Sequence, residues 1–192
     1  MKVVIDTSSL LSLVRYYLPF DKQNKLFDFI KSKIEKSELI IIDEVLRECE
    51  NTAKGITVQK MEYLVEKDFH KTHKFPVNTE FLLPPAPAKF YNQVDNSFIN
   101  GSVRNKLTDV QYESMKSSFL ASADARMIIY CLNEIKNNPS ERIILVTEES
   151  EESNDHKTFK KIPTICKFLS IEVNTLPKLL EIYNGEIDLE IK

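Results

Sequence analysis

The feature that most constrains the fold of this chain is an alternation of short apolar runs with longer amphipathic segments. The apolar runs span residues 2–5, 39–42, 142–147 and 171–173, and most of them are rich in valine and isoleucine. Runs of this kind are typical of parallel strands that are buried on both faces. Residues 21–36 carry apolar side chains at helical spacing between lysines, which predicts an amphipathic helix. The alternation therefore predicts an α/β fold with a central, mostly parallel sheet flanked by helices.

The same helical periodicity predicts further helices over residues 57–69 and 107–120, and helices that begin near Ala123, Ile162 and Leu176. The chain has 192 residues, of which 42% are hydrophobic, and this is enough to bury one sizeable core. We therefore expect a single domain that covers the whole chain.

Residues from about 75 to 106 interrupt the periodic pattern. They contain Pro76, Pro84, Pro85 and Pro87 together with many asparagine and serine residues. Because proline ends regular elements and polar residues favour turns, this segment is predicted to be a long irregular excursion within the domain.

The composition argues against several classes of protein. The chain has three cysteines, an odd number, and they are far apart in apolar segments: Cys49, Cys131 and Cys166. This argues against a disulfide framework and against a zinc cluster. The chain has three glycines and no Gly-rich phosphate loop, which disfavours nucleoside-triphosphate hydrolysis and dinucleotide binding. No apolar run approaches the roughly 20 residues that cross a bilayer. The first residues show no signal-peptide pattern, so we expect a cytoplasmic protein without membrane contact.

Acidic side chains follow the first three predicted strands, and another aspartate lies at a helix start. These residues are Asp6, then Asp43, Glu44 and Glu48, then Glu148 and Glu149, and finally Asp124 in the first turn of its helix. Because a parallel sheet places its site at the carboxyl ends of its strands, we expect these carboxylates to lie close together. A hard divalent cation, Mg²⁺ or Mn²⁺, would relieve their mutual repulsion. The pattern favours metal-assisted hydrolysis of a phosphodiester.

Two glutamates, Glu44 and Glu48, follow the second predicted strand. Asp43 is predicted to be the N-cap of the following helix, which places Glu44 and Glu48 one turn apart on nearly the same face. Periodicity alone does not choose between them. Because helical side chains lean toward the helix N-terminus, Glu48 reaches back to the sheet edge, and we predict that it serves the metal.

The chain carries Asp6-Thr7-Ser8 after the first strand, Ala123-Asp124 at a helix start, and Val146-Thr147-Glu148-Glu149 at a strand end. In their order and spacing, these three motifs resemble those of the PIN-domain nucleases. Residues 162–166 further resemble a segment of bacterial PIN proteins related to the VapC-like toxins of toxin–antitoxin systems. The resemblance covers nearly the whole chain except the excursion.

This resemblance implies a PIN-like three-layer fold and a Mg²⁺- or Mn²⁺-dependent endoribonuclease. It assigns metal ligation and catalysis to four carboxylates, with Glu148 competing for the last position: Asp6, Glu48, Asp124 and Glu149. The hydroxyl of Thr7 or Thr147 would assist. It also implies an RNA substrate, an antitoxin protein as partner and a homodimer, for which the apolar stripe of residues 21–36 is a candidate surface.

Two other functions stay open on the sequence alone. One is a catalytically inactive PIN-like module that binds RNA or protein. The other is a receiver domain with Asp43 as phosphoacceptor, although Asp6-Thr7 does not supply the acid pair that such a domain needs.

The most basic local patch follows the last acidic turn and comprises Lys157, Lys160 and Lys161. These lysines either contact RNA phosphates or form a solvated helix start. Because the formal net charge of the chain is −3, RNA binding would depend on such a local cluster or on bound cations.

Overall fold

A computed structural model describes residues 1–151 and 157–187. Its sheet has four strands in the order β2-β1-β3-β4, and every strand pair is parallel. The strands are β1 (Lys2–Ile5), β2 (Leu39–Ile40), β3 (Ile143–Val146) and β4 (Glu172–Asn174). Helices flank this sheet, so the predicted α/β class is confirmed and the architecture is consistent with a PIN-like three-layer fold.

The α-helices are short in the first half of the chain and longer around β3. They are α1 (Thr7–Ser12), α2 (Lys25–Glu35), α3 (Asp43–Asn51), α4 (Ile56–Lys60), α5 (Lys67–His73), α6 (Pro87–Gln93), α7 (Gly101–Arg104), α8 (Asp109–Ala121), α9 (Ala123–Asn137), α10 (Ile162–Leu169) and α11 (Leu176–Ile182). Short 3-10 and π-helical turns join several of them, at Leu13–Tyr17, Leu18–Phe20, Lys22–Asn24, Thr52–Gly55, Glu62–Val65 and Val94–Phe98. Among the described residues, no helix is both long and apolar enough to span a membrane.

The core lies on both faces of the two central strands. Val3, Val4 and Ile5 of β1 are fully buried, as are most residues of β3. Full burial of consecutive residues requires helices on both sides, which explains why these strands are apolar throughout rather than alternating. The three cysteines are buried free thiols. Since β1 lies between β2 and β3, its carboxyl end is at the centre of the sheet edge.

Several predicted elements are confirmed with small changes at their ends. The first strand has the predicted bounds, and the second continues after Ile40 as an isolated bridge between Ile42 and Val77. The last strand begins one residue later than predicted, at Glu172. The helices expected from Ala123, Ile162 and Leu176 begin at those residues.

Two predicted helices have wrong boundaries. The helix expected over residues 21–36 begins at Lys25, because Gln23 and Asn24 have positive φ angles of 67° and 58° that a right-handed helix excludes. The helix expected over residues 57–69 is broken, because the ψ angles of Met61 and Glu66 are 64° and 125°. Apolar spacing alone does not reveal such breaks.

The excursion of residues 75–106 is irregular over residues 75–86, apart from an isolated bridge at Val77, and the prediction of irregular structure is wrong for most of the remainder. It contains α6, a π-helical turn and α7, and its side chains Phe90, Val94 and Phe98 are buried in the core. Pro87 starts α6, where its missing N–H is of no consequence. The three buried side chains recur every four residues, which is a helical spacing that the prolines obscured.

Candidate acidic active site

Asp6 lies at the carboxyl end of β1 and is only 5% exposed. Its Oδ1 accepts a hydrogen bond from the Ser9 amide of α1 at 2.7 Å, so Asp6 is also the N-cap of that helix. Its Oδ2 accepts from the hydroxyls of Ser8 at 2.7 Å and Thr147 at 2.6 Å. Thr147 directly follows β3, the neighbouring strand. Three neutral donors therefore orient this carboxylate without supplying a positive charge.

Asp124 lies in the first turn of α9, at the mouth of the same edge. The pKa of Asp124 is raised from 3.8 to about 7; burial is the largest cause, the carboxylates of Glu149, Glu48 and Asp6 contribute in that order, and Lys157 lowers it. These carboxylates come from three other parts of the chain. The carboxylates of Asp6, Glu48 and Glu149 therefore lie within electrostatic range of Asp124, and Glu149 lines the same cleft as Asp124.

The two glutamates of α3 have different surroundings. Glu48 is exposed, and its Oε2 accepts a hydrogen bond from the Thr7 hydroxyl at 2.6 Å. Glu44 instead forms ion pairs with Arg47 at 2.8 Å and Arg126 at 3.7 Å, which compensate its charge. This arrangement supports the choice of Glu48 over Glu44.

The prediction that Asp43 is the N-cap of α3 is wrong by one position. Ile42 occupies the cap, and Asp43 is the first helical residue. The Asp43 carboxylate accepts hydrogen bonds from the amide of Thr79 at 3.1 Å and from its hydroxyl at 2.5 Å. It therefore holds the beginning of the excursion against α3, and it is not an exposed acceptor of the kind that a receiver domain presents.

The two glutamates after β3 hold the starts of different helices. Glu149 Oε2 accepts a hydrogen bond from the Ile162 amide at the start of α10 at 3.1 Å. Glu148 Oε1 accepts from the Leu176 amide at the start of α11 at 2.7 Å. The Glu149 carboxylate raises the pKa of Asp124. The pKa of Tyr17 is raised mainly by burial, and the Glu148 carboxylate raises it further. The geometry supports Glu149 rather than Glu148 as the fourth acid of the site.

The fit of this site to a metal depends on its donor set. Among the described residues, no group of three or more His, Cys, Asp or Glu side chains is close enough to hold a metal ion directly. The carboxylates of Glu149, Glu48 and Asp6 nevertheless raise the pKa of Asp124. Electrostatic repulsion between carboxylates extends further than the distances at which they would share a metal ion. An all-carboxylate site suits Mg²⁺, which keeps several waters and needs only one or two carboxylates as direct ligands. The donors therefore fit a hydrated hard cation, with hydroxyls of Thr7, Ser8 and Thr147 fixing the carboxylates.

The three lysines of the basic patch differ in their contacts. Lys157 is 62% exposed, and its Nζ lies 3.8 Å from Glu149 Oε1. Lys160 Nζ donates to the Ser97 carbonyl oxygen at 2.7 Å and lies 4.8 Å from the centre of the Phe168 ring. Lys161 is at the N-cap position of α10. Lys157 thus borders the acidic site directly, and Lys160 holds the excursion in place.

Ser8 is a site residue that sequence reasoning missed. Its Oγ donates to Asp6 Oδ2 and accepts a hydrogen bond from the Glu148 amide at 3.1 Å, so it links the two central strand ends. The available signal was a hydroxyl residue two positions after an aspartate, a spacing common in turns.

A sequence profile of the family described as "Domain of unknown function (DUF4411)" matches residues 3–185. The chain belongs to this family. The DUF4411 match extends from β1 past α11, so it includes all the acidic residues described above and the three lysines. Neither a search of curated proteins nor a search of solved structures found a match.

Proposed function

We propose that the chain is a metal-dependent endoribonuclease whose Mg²⁺ or Mn²⁺ is held, in part through its coordinated waters, by Asp6, Glu48, Asp124 and Glu149. The observation that carries the proposal is the placement of the acids: the Thr147 hydroxyl donates to Asp6 and accepts from the Glu149 amide, Thr7 donates to Glu48, and Glu149 lines the same cleft as Asp124. The pKa of Asp124, which burial and these three carboxylates raise to about 7, agrees with this placement. Strongly perturbed groups of this kind cluster at functional sites. A buried acid surrounded by like charges favours a divalent cation, because cation binding removes the repulsion.

Within this site the chain's own residues have separate roles. Asp6 is held rigidly by Ser8, Ser9 and Thr147, so its carboxylate is already oriented before any ligand binds. Glu48 and Glu149 lie on opposite sides of the β1 end. Glu48 belongs to α3, which follows β2, and Glu149 belongs to the turn after β3. When bound, the metal would lower the pKa of a coordinated water and stabilise charge on the phosphodiester.

Three further parts of the proposal rest on the resemblance to PIN-domain nucleases: RNA as the substrate, an antitoxin as partner, and a homodimer. The apolar stripe of α2 does not supply the dimer surface, because Leu26, Ile30 and Ile34 are buried in the protein's own core. Another surface would have to form the dimer. Light scattering tests this by comparing the mass in solution with the chain mass of 22.3 kDa.

The experiment that tests the activity is cleavage of a labelled single-stranded RNA with Mg²⁺ or Mn²⁺, and with a chelator. We expect cleavage that the chelator stops and that Asp6→Asn reduces by about a hundredfold or more, the scale for loss of one charge-stabilising group. Glu44→Gln is the matched control, since Glu44 is bound by arginines. Undiminished cleavage by Asp6→Asn would contradict the assignment, and RNA left intact with either metal would favour the catalytically inactive module.

A further inference from the structure

A cleft of about 420 Å³ extends from Asp124 and Glu149 between helix α8 and residues 157–161. One wall is α8, which contributes Ser114 and Ser118, two exposed serines one helical turn apart. The other wall contains the three lysines of the basic patch and Thr158. The cleft therefore begins at the acids and continues between hydroxyl groups and positive charges.

The floor of this cleft is apolar. Phe119 and Phe159 stack there with ring centroids 4.3 Å apart and an angle of 16° between the ring planes. Met115, which is 41% exposed, lies beside them and accepts a hydrogen bond from the Thr158 hydroxyl. An apolar floor between cationic and hydroxyl-bearing walls has the composition of grooves that bind single-stranded nucleic acid.

The excursion builds the lysine wall. The Asn100 amide donates to the Thr158 carbonyl oxygen, and the Lys160 amide donates to the Phe98 carbonyl oxygen, each at 2.8 Å. These bonds flank an antiparallel bridge between Ile99 and Phe159. The segment that carries the lysines is therefore fixed opposite α8 by backbone hydrogen bonds, and the cleft has two defined walls.

We propose that a single RNA strand leaves the acidic site along this cleft, with its phosphates beside Ser114 and Lys157, close to the Ser118 side chain whose hydroxyl donates to the Ser114 carbonyl oxygen, and with a base over the apolar floor. A phosphate chain is repelled by the carboxylates, so it needs contacts of opposite charge or hydrogen-bond donors immediately beside them. The volume suits a ligand of about one nucleotide, which fits an unpaired strand rather than a duplex. The cleavage step rests on the proposed function, whereas strand binding does not.

Two adjacent serines of α8 provide a matched test. Ser117 and Ser118 are both exposed, but only Ser118 is among the residues that line the cleft. Ser118→Asp and Ser117→Asp change the net charge equally and replace the same residue type in the same helix. Binding of a fluorescent RNA of about twelve nucleotides is followed by anisotropy with a chelator present, so that no metal-dependent cleavage occurs.

We expect Ser118→Asp to weaken binding about fivefold through repulsion of a nearby phosphate, and Ser117→Asp to change it less than about twofold. Ser118→Lys should tighten binding, which a purely structural effect would not produce. Equal effects of the two Asp variants, or absent binding by the wild-type protein, would overturn the proposal. Duplex RNA that binds as tightly as the single strand would also overturn it.

The same measurements separate this proposal from the proposed function. If RNA is bound with the predicted difference between Ser118→Asp and Ser117→Asp but is never cleaved with Mg²⁺ or Mn²⁺, the cleft is supported and the nuclease is not. If RNA is cleaved and Ser118→Asp binds like the wild type, the nuclease is supported and the cleft is overturned.

Discussion

Replacement of Asp124 by asparagine should make the metal-free protein more stable at high pH. The ordinary pKa of this carboxyl is 3.8, and in the folded protein it is about 7. Folding therefore favours the protonated form, so the stabilising contribution is complete below about pH 4 and is lost as the pH rises through about 7. At about 1.4 kcal/mol per pH unit, the loss is up to about 4 kcal/mol. Asparagine cannot ionise, so Asp124→Asn avoids that loss.

The assay is the free energy of unfolding from denaturant titrations of both proteins at several pH values, with a chelator present. The free energy of unfolding of Asp124→Asn, minus that of the wild type, should increase by up to about 4 kcal/mol from about pH 4 to about pH 8. Glu44→Gln serves as the control, because Glu44 is paired with Arg47 and Arg126 and its removal gives no such gain. A difference that does not change over this pH range would refute the reasoning.

Three further predictions concern the glutamates around the site. Glu48→Gln should abolish cleavage with little change in melting temperature, while Glu44→Gln keeps most activity; the reverse ranking in an RNA cleavage assay would make Glu44 the ligand. Glu149→Gln should reduce cleavage by about a hundredfold, which single-turnover rates would show, and a near-normal rate would exclude this residue. Glu148→Ala should leave cleavage intact and lower the free energy of unfolding by about 1 kcal/mol through loss of the acceptor at the start of α11; a large loss of cleavage instead would transfer the fourth position to Glu148.

The central strands and the edge that carries the acids could be predicted from local sequence. β1 and β3 are buried on both faces, so they are apolar along most of their length and easily recognised. Asp6 follows β1, and Asp124 lies in the first turn of a helix with strong apolar periodicity, so both positions relative to the sheet follow from nearby residues. Parallel strands have their carboxyl ends at the same edge of the sheet, so this rule predicts that Asp6 and Asp124 lie at one edge.

Other features depend on contacts far along the chain. Glu148 and Glu149 are neighbours after β3, and they are distinguished by which helix start each one meets, at Leu176 or Ile162. No local pattern contains that information. Similarly, Asp43 is drawn to Thr79 in the excursion. The prolines of the excursion predict breaks in regular structure and so hide its helices, although Pro87 starts α6.

The central claim is that the four carboxylates bind a divalent cation, and calorimetric titration of Mn²⁺ or Mg²⁺ tests it most directly. At about pH 7, where Asp124 is roughly half protonated, metal binding should release protons, which repeated titrations in buffers of different ionisation enthalpy would detect. Asp124→Asn should bind the metal at least about tenfold more weakly and release fewer protons. No saturable binding by the wild-type protein at millimolar metal, or equal affinity and equal proton release in Asp124→Asn, would contradict the account.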